Sequence, residues 1–214
     1  MNINLKKEIL IDSGMILFLI LFPHFVPLPF YSYSIICFIA VVIYLKRKRK
    51  NLRDIGLQKK GVNLKTILIG ILSALIWVGF MRWVFVPAIT NLFTVPDYKE
   101  YDFIRNNISN LIITLIAAWI VGGFYEEIVF RGFINSTFEK YFNSFWVSAC
   151  ITSVLFGIYH WQQGIFGICA AILGGLYWSF IYGYFGKNLW NAILSHAIFD
   201  TVTLILIYLG LFSR

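Results

Sequence analysis

Seven apolar runs separated by short polar connections fill most of the chain, at about residues 9–27, 31–45, 64–88, 111–133, 145–161, 165–185 and 189–212. A helix needs about 20 apolar residues, rising 1.5 Å each, to cross a ~30 Å hydrocarbon core. In lipid every backbone N–H and C=O must find its partner within the segment or in a closed barrel. Runs of this length predict helices, so the expected fold class is all-α: a polytopic membrane helical bundle of about seven transmembrane helices, with six to eight as the range. The second run is short and can draw on the Pro-rich turn before it.

Composition agrees. Of the 214 residues 59% are hydrophobic and only 13% charged, about half the ~25% of a soluble domain. Cys37, Cys150 and Cys169 lie in apolar runs with no metal-knuckle spacing, and read as small buried hydrophobes. The net charge of +8 sits in one place. Between residues 46 and 65 there are nine basic side chains and one acid, Asp54, while the rest of the chain balances. Squeezed between apolar runs, this stretch reads as a cytoplasmic loop under the positive-inside rule, not as a nucleic-acid patch.

Lys6 and Lys7 place the N-terminus on the same side. Alternation then puts the loop around Asp97, Lys99, Glu100 and Asp102 outside, and Glu139, Lys140 and Lys187 inside. The first run is interrupted by Pro23, Pro27 and Pro29 and lacks a small-residue cleavage site, so it reads as a span and not as a cleavable signal. The expected organisation is an N-terminal hairpin with the basic loop over 1–63 and a transmembrane core over 64–214. The richness in Ile, Lys, Asn and Phe points to an AT-rich bacterial genome and a multi-pass protein of the cell membrane.

Against this background a few ionisable residues stand out. A centred charge in a span costs about 2.5–3.5 kcal/mol on insertion scales, so such residues default to a functional reading. Glu126 and Glu127 lie in an apolar run with Arg131 four residues beyond Glu127. Residues four apart share a helix face. Glu127 is thus expected to pair with Arg131 and Glu126, rotated by ~100°, to face a site, with an exchange of the two glutamates staying open. Phe156 and His160 repeat the spacing, as do His196 and Asp200. Each unit alone has a bland reading: an ionic staple between helices, or a satisfied core histidine. Three polar units on three apolar spans are expected to converge, because burying each separately incurs its own desolvation penalty.

These residues resemble the motifs of the membrane protease family that includes the CAAX prenyl proteases and the bacteriocin-processing and bacteriocin-immunity proteins. Its two glutamates, three residues and Arg match Glu126, Glu127 and Arg131. Its Phe, three residues and His match Phe156 and His160. Its His, three residues and a polar group match His196 and Asp200. The resemblance covers about residues 110–205. Asp200 stands where Asn is commoner, and an ionised carboxylate cannot donate to an oxyanion.

The resemblance implies an intramembrane endopeptidase acting on a hydrophobic or membrane-associated peptide, in bacteriocin maturation or self-immunity. Glu126, helped by His160, is the candidate base for water. His196 would position or donate to the oxyanion, and Arg131 would hold Glu127 ionised. A zinc version would use His160, His196 and Glu126 as ligands with the other glutamate as base; the glutamate-only scheme needs no cofactor. The rival readings are a non-enzymatic immunity or scaffold protein and a proton or ion transporter using the same acids.

One difficulty accompanies this reading. If the fourth helix ends near Phe133, Glu126, His160 and His196 fall at depths of ~8, ~22 and ~10 Å from the inner face. A longer fourth helix, tilt, or a break at Gly122 and Gly123 would each reconcile them.

Overall fold

The computed structural model describes residues 3–26, 28–93 and 99–211. Pro27, Asp97 and Phe212, placed above at span ends and in the outer loop, lie outside them. The described residues contain no strand and seven helices. These are α1 (Ile3–Phe25), α2 (Ser32–Arg47), α3 (Leu64–Ile89), α4 (Ile108–Phe142), α5 (Phe145–Tyr159), α6 (Gly164–Tyr184) and α7 (Leu189–Tyr208). The helices α1, α3, α4, α7 and α6 with its preceding turn are long and apolar enough to cross a membrane; α2 and α5 are shorter.

Local chemistry sets several helix ends. The side chains of Asn63, Asn107, Ser144 and Asn188 accept from backbone N–H groups in the first turns of α3, α4, α5 and α7, satisfying donors that a helix start leaves orphaned. The α4–α5 hairpin closes at Asn143, in the left-handed region at φ 49°, which asparagine tolerates better than most residues. In α3 the helix widens to a π winding over Met81–Phe85, beside Pro87, which cannot donate the usual backbone bond. The helix α4 takes π windings over Ala118–Glu126 and Ile128–Ile134, a form often found at functional sites.

The bundle is built on closely packed neighbouring helices. Helix α5 runs along α6, α3 runs along α7, and α7 lies on the first π winding of α4. At Gly175 an added Cβ would stand 2.8 Å from Ser153 Cβ, so glycine is what lets α6 approach α5, as expected of small residues in membrane helices. The core contains Leu19, Val41, Ile128, Phe130, Ile134 and Ile193, all at 2% exposure or less. Apolar side chains also face outward, among them Ile71, Leu72, Leu75 and Ile76 of α3 and Ile112, Ile113 and Ile116 of α4. That surface is what a lipid-facing bundle presents. It also explains why only Cys37 is buried as expected, while Cys150 is exposed and Cys169 half-buried: in a bilayer, an apolar side chain need not turn inward.

The depth difficulty resolves through the length of α4. The helix continues to Phe142, and α7 starts level with its interior. Leu189 N donates to Gly56 O at 3.0 Å, and a Cβ on Gly132 would meet Ile55 Cδ1 at 3.1 Å and Leu189 Cδ2 at 3.4 Å. Gly132, Ile55 and Leu189 therefore share one level. The ten residues of α4 beyond Gly132 project about 15 Å further, and α5 starts from that far end. His160 thereby sits level with the glutamates, with no break at Gly122 and Gly123.

Candidate active site

The π-wound middle of α4 presents Glu126, Glu127 and Arg131 to the interior, exposed to only 8%, 0% and 1%. Glu127 Oε1 takes the Arg131 Nη1 contact at 3.1 Å, the pairing the four-residue spacing predicts. The same oxygen accepts from His196 Nδ1 at 2.8 Å. An imidazole that donates through Nδ1 leaves Nε2 to face outward. There Nε2 lies 3.7 Å from Asp200 Oδ2, too long for a hydrogen bond. His196 is thus held between two carboxylates, bonded to one and near the other.

Two glycines make this meeting possible. A Cβ on Gly123 would stand 2.6 Å from Ala197 Cβ and 3.3 Å from Ile193 O. One on Gly122 would stand 2.6 Å from Asp200 Oδ2 and 3.8 Å from His196 Nε2. The α4–α7 crossing is closed at these residues, one helical turn from Glu126.

The second histidine comes from the end of α5. His160 Nδ1 lies 2.8 Å from Phe156 O; a carbonyl only accepts, so Nδ1 carries the proton and Nε2 its lone pair. Phe156 is the shared wall of the site. Its ring centroid lies 4.5 Å from that of His160 and 6.4 Å from that of His196, and the Arg131 guanidinium stacks on it at 4.1 Å.

Glu126 differs from its neighbour. Among the described residues its carboxylate accepts no hydrogen bond. His196, Asp200, Arg131 and Glu127 all lie within electrostatic reach of it, as do Tyr33, Tyr125 and Tyr159. Tyr33 also lines an open hollow of about 690 Å³ at the α1–α2 connection, with His24, Phe25, Leu28 and Tyr31. Tyr33 thus borders the hollow on one side and the surroundings of Glu126 on the other.

The six expected residues fall around one interior region, with Glu127, Arg131 and His196 in direct contact, Asp200 beside His196, and Glu126 and His160 flanking them. Sequence reading missed Trp178 of α6. Its ring stacks on His196 at 3.7 Å and 17° and lies 5.4 Å from the Arg131 guanidinium. In a membrane protein tryptophan commonly marks the interfacial belts, whereas Trp178 is 3% exposed. For a metal the fit is poor: among the described residues no group of three or more His, Cys, Asp and Glu side chains is close enough to hold an ion.

No curated protein and no solved structure matches the chain. Residues 108–202, just under half of the chain and the stretch that holds all six of these side chains, match the model of the Rce1-like family, type II CAAX prenyl endopeptidases, and the resemblance to membrane proteases that the three motifs carry is thereby shown.

Proposed function

We propose that the protein is an intramembrane endopeptidase that hydrolyses a membrane-associated peptide with water activated by Glu126. The observation that carries this reading is the contrast between adjacent acids. Glu127 is consumed by Arg131 and His196, while Glu126 accepts no hydrogen bond from the described residues and stands in the same pocket. A carboxylate left without a protein partner and within electrostatic reach of His196 is placed to accept the proton of a water.

Glu126 takes a proton from water as the oxygen adds to the scissile carbonyl. The tetrahedral oxyanion needs a donor fixed in advance. His196 Nε2, when protonated, is such a donor, and its ring cannot swing away, because Glu127 holds Nδ1 and Trp178 covers one face. The proton on Glu126 then passes to the leaving amine. His160 Nε2, the lone-pair nitrogen, is available to hold or relay that proton. Arg131 keeps Glu127 an acceptor. No step passes through a metal. In this reading the peptide approaches Glu126 from the side of the hollow at Tyr31 and Tyr33.

The test is cleavage of a hydrophobic fluorogenic peptide library by the purified protein in detergent, wild type against Glu126→Gln, at matched folded yield. Cleavage by wild type that is lost in Glu126→Gln supports the reading. Cleavage that persists in Glu126→Gln removes Glu126 as the base.

A further inference from the structure

The face carrying the basic loop holds a second hollow, of about 500 Å³, lined by none of the six site residues. Val42 and Leu45 of α2, Leu52 and Leu57 of the loop and Trp190 of α7 give it apolar walls, and Lys46, Arg53 and Lys59 lie at its edge. We propose that this groove binds an anionic phospholipid, its acyl carbons against the apolar wall and its phosphate among the three cations.

The wall is built, not draped. Asn51 and Asp54 form a reciprocal cap at the turn Leu52–Ile55, and Gly56 follows in the left-handed region at φ 95°. The loop is then fastened to the α6–α7 connection by four hydrogen bonds. Leu189 N donates to Gly56 O at 3.0 Å, Tyr182 Oη to Ile55 O at 3.3 Å, Asn188 Nδ2 to Gly61 O at 2.7 Å and Trp190 Nε1 to Gln58 O at 3.0 Å. Such a loop holds its charges in fixed positions.

Charge complementarity selects the occupant. Three other lysines on this face are paired, Lys48 with Glu8 at 3.0 Å, Lys140 with Glu8 at 2.6 Å and Lys187 with Glu139 at 2.8 Å, and Lys50, Lys60 and Lys65 do not line the groove. Lys46, Arg53 and Lys59 have no acidic partner among the described residues, and the nearby Asp54 carboxylate is spent on Asn51 N at 2.7 Å. Three uncompensated cations over an apolar groove, at the boundary where an interfacial tryptophan sits, match a group with a negative head and an apolar tail. Basic pockets between helices on the positive side of a membrane protein recognise anionic lipid in this way.

Trp190 is a built-in reporter. The full chain is reconstituted in phosphatidylcholine vesicles carrying a minor fraction of either chain-brominated phosphatidylglycerol or chain-brominated phosphatidylcholine. Contact quenching of the Trp190 component is obtained by subtracting Trp190→Phe. The expected result is stronger quenching by the brominated phosphatidylglycerol at equal mole fraction. The triple variant Lys46→Gln, Arg53→Gln, Lys59→Gln loses that preference, by about fivefold per cation removed. The triple variant Arg47→Gln, Arg49→Gln, Lys50→Gln removes the same charge outside the groove and keeps it. Equal quenching by both lipids, or equal loss in both triple variants, overturns the site in favour of a diffuse basic field. Peptide cleavage is not part of the readout, so this outcome is independent of the proposed activity.

Discussion

Gly122 and Asp200 approach so closely that a methyl group on the glycine would stand 2.6 Å from the Asp200 carboxylate, and the adjacent Gly123 would bring one equally near Ala197 Cβ. The two encounters differ in what can yield. Asp200 is half-buried and its carboxylate is the free end of a side chain. Ala197 Cβ is fixed to the α7 backbone, with Ile193 O behind it at 3.3 Å. Gly123→Ala must therefore push α7 off α4, and overpacking of this kind costs about 1–3 kcal/mol, more than the 0.5–1 kcal/mol that alanine gains over glycine in a helix. Gly122→Ala is expected to displace Asp200 while leaving the melting midpoint near that of wild type; Gly123→Ala is expected to lower it. Thermal melts of the two variants in one detergent check this, and equal melting would mean that the crossing is not tight at Gly123.

The adjacent glutamates should separate activity from stability. Glu127→Gln leaves the Arg131 guanidinium, 1% exposed, without its carboxylate, and breaking a buried pair from one side costs about 3–5 kcal/mol. Glu126 has no such partner to abandon. Glu126→Gln should melt as wild type does yet lose peptide hydrolysis by 10²-fold or more, the scale of a lost general base. Glu127→Gln should lose stability as well as activity. Melts and initial rates on the same preparations decide it; the reverse pattern would exchange the two roles.

The convergence of charged groups was legible in the sequence because lipid makes each one conspicuous. Glu126, Glu127, Arg131, His196 and Asp200 each interrupt an apolar run, and the four-residue spacing alone predicts the Glu127–Arg131 pair. Their relative depth was not legible. Hydropathy stops near Phe133, but the helix does not. The segment Asn135–Phe142 is polar enough to leave the bilayer and still continues as regular helix, since helix formation needs no apolar run. The contact between Glu127 and His196 was hidden for a related reason. It depends on where α7 starts relative to α4, which the Gly56–Leu189 hydrogen bond fixes, and no motif spacing records that bond.

Trp178 was illegible because in a membrane protein its residue type already has a common explanation. Its position on His196 predicts a graded effect. Trp178→Phe keeps a ring to cover the imidazole and should retain part of the activity. Trp178→Ala opens a void, which for a buried tryptophan costs about 3–5 kcal/mol, and frees the His196 ring to turn. Hydrolysis rates in the order wild type, Trp178→Phe, Trp178→Ala check this. If Trp178→Phe equals wild type in rate, the flat stack has no part in orienting His196.

Asp12 of α1 is a third buried acid, 4% exposed, and it ties α1 to two other helices. It accepts from Tyr44 of α2 and, at 2.7 Å, from Tyr141 near the end of α4. Lys140 and Lys48 stand at 3.3 and 3.5 Å. Since α5 starts from this end of α4, the cluster anchors the hairpin that carries His160. Both lysines keep Glu8 when Asp12 is neutralised, so Asp12→Asn should cost only about 1.5–3 kcal/mol, the scale of hydrogen bonds to a charged group. Tyr141→Phe removes one of the same bonds. Because the two changes share a partner, the double variant should lose less than the sum, with a coupling of about 0.5–3 kcal/mol. Melts of the two single variants and the double variant measure it. Strict additivity would mean that Tyr141 and Asp12 contribute separately and that the α4–α5 hairpin is held by its packing alone.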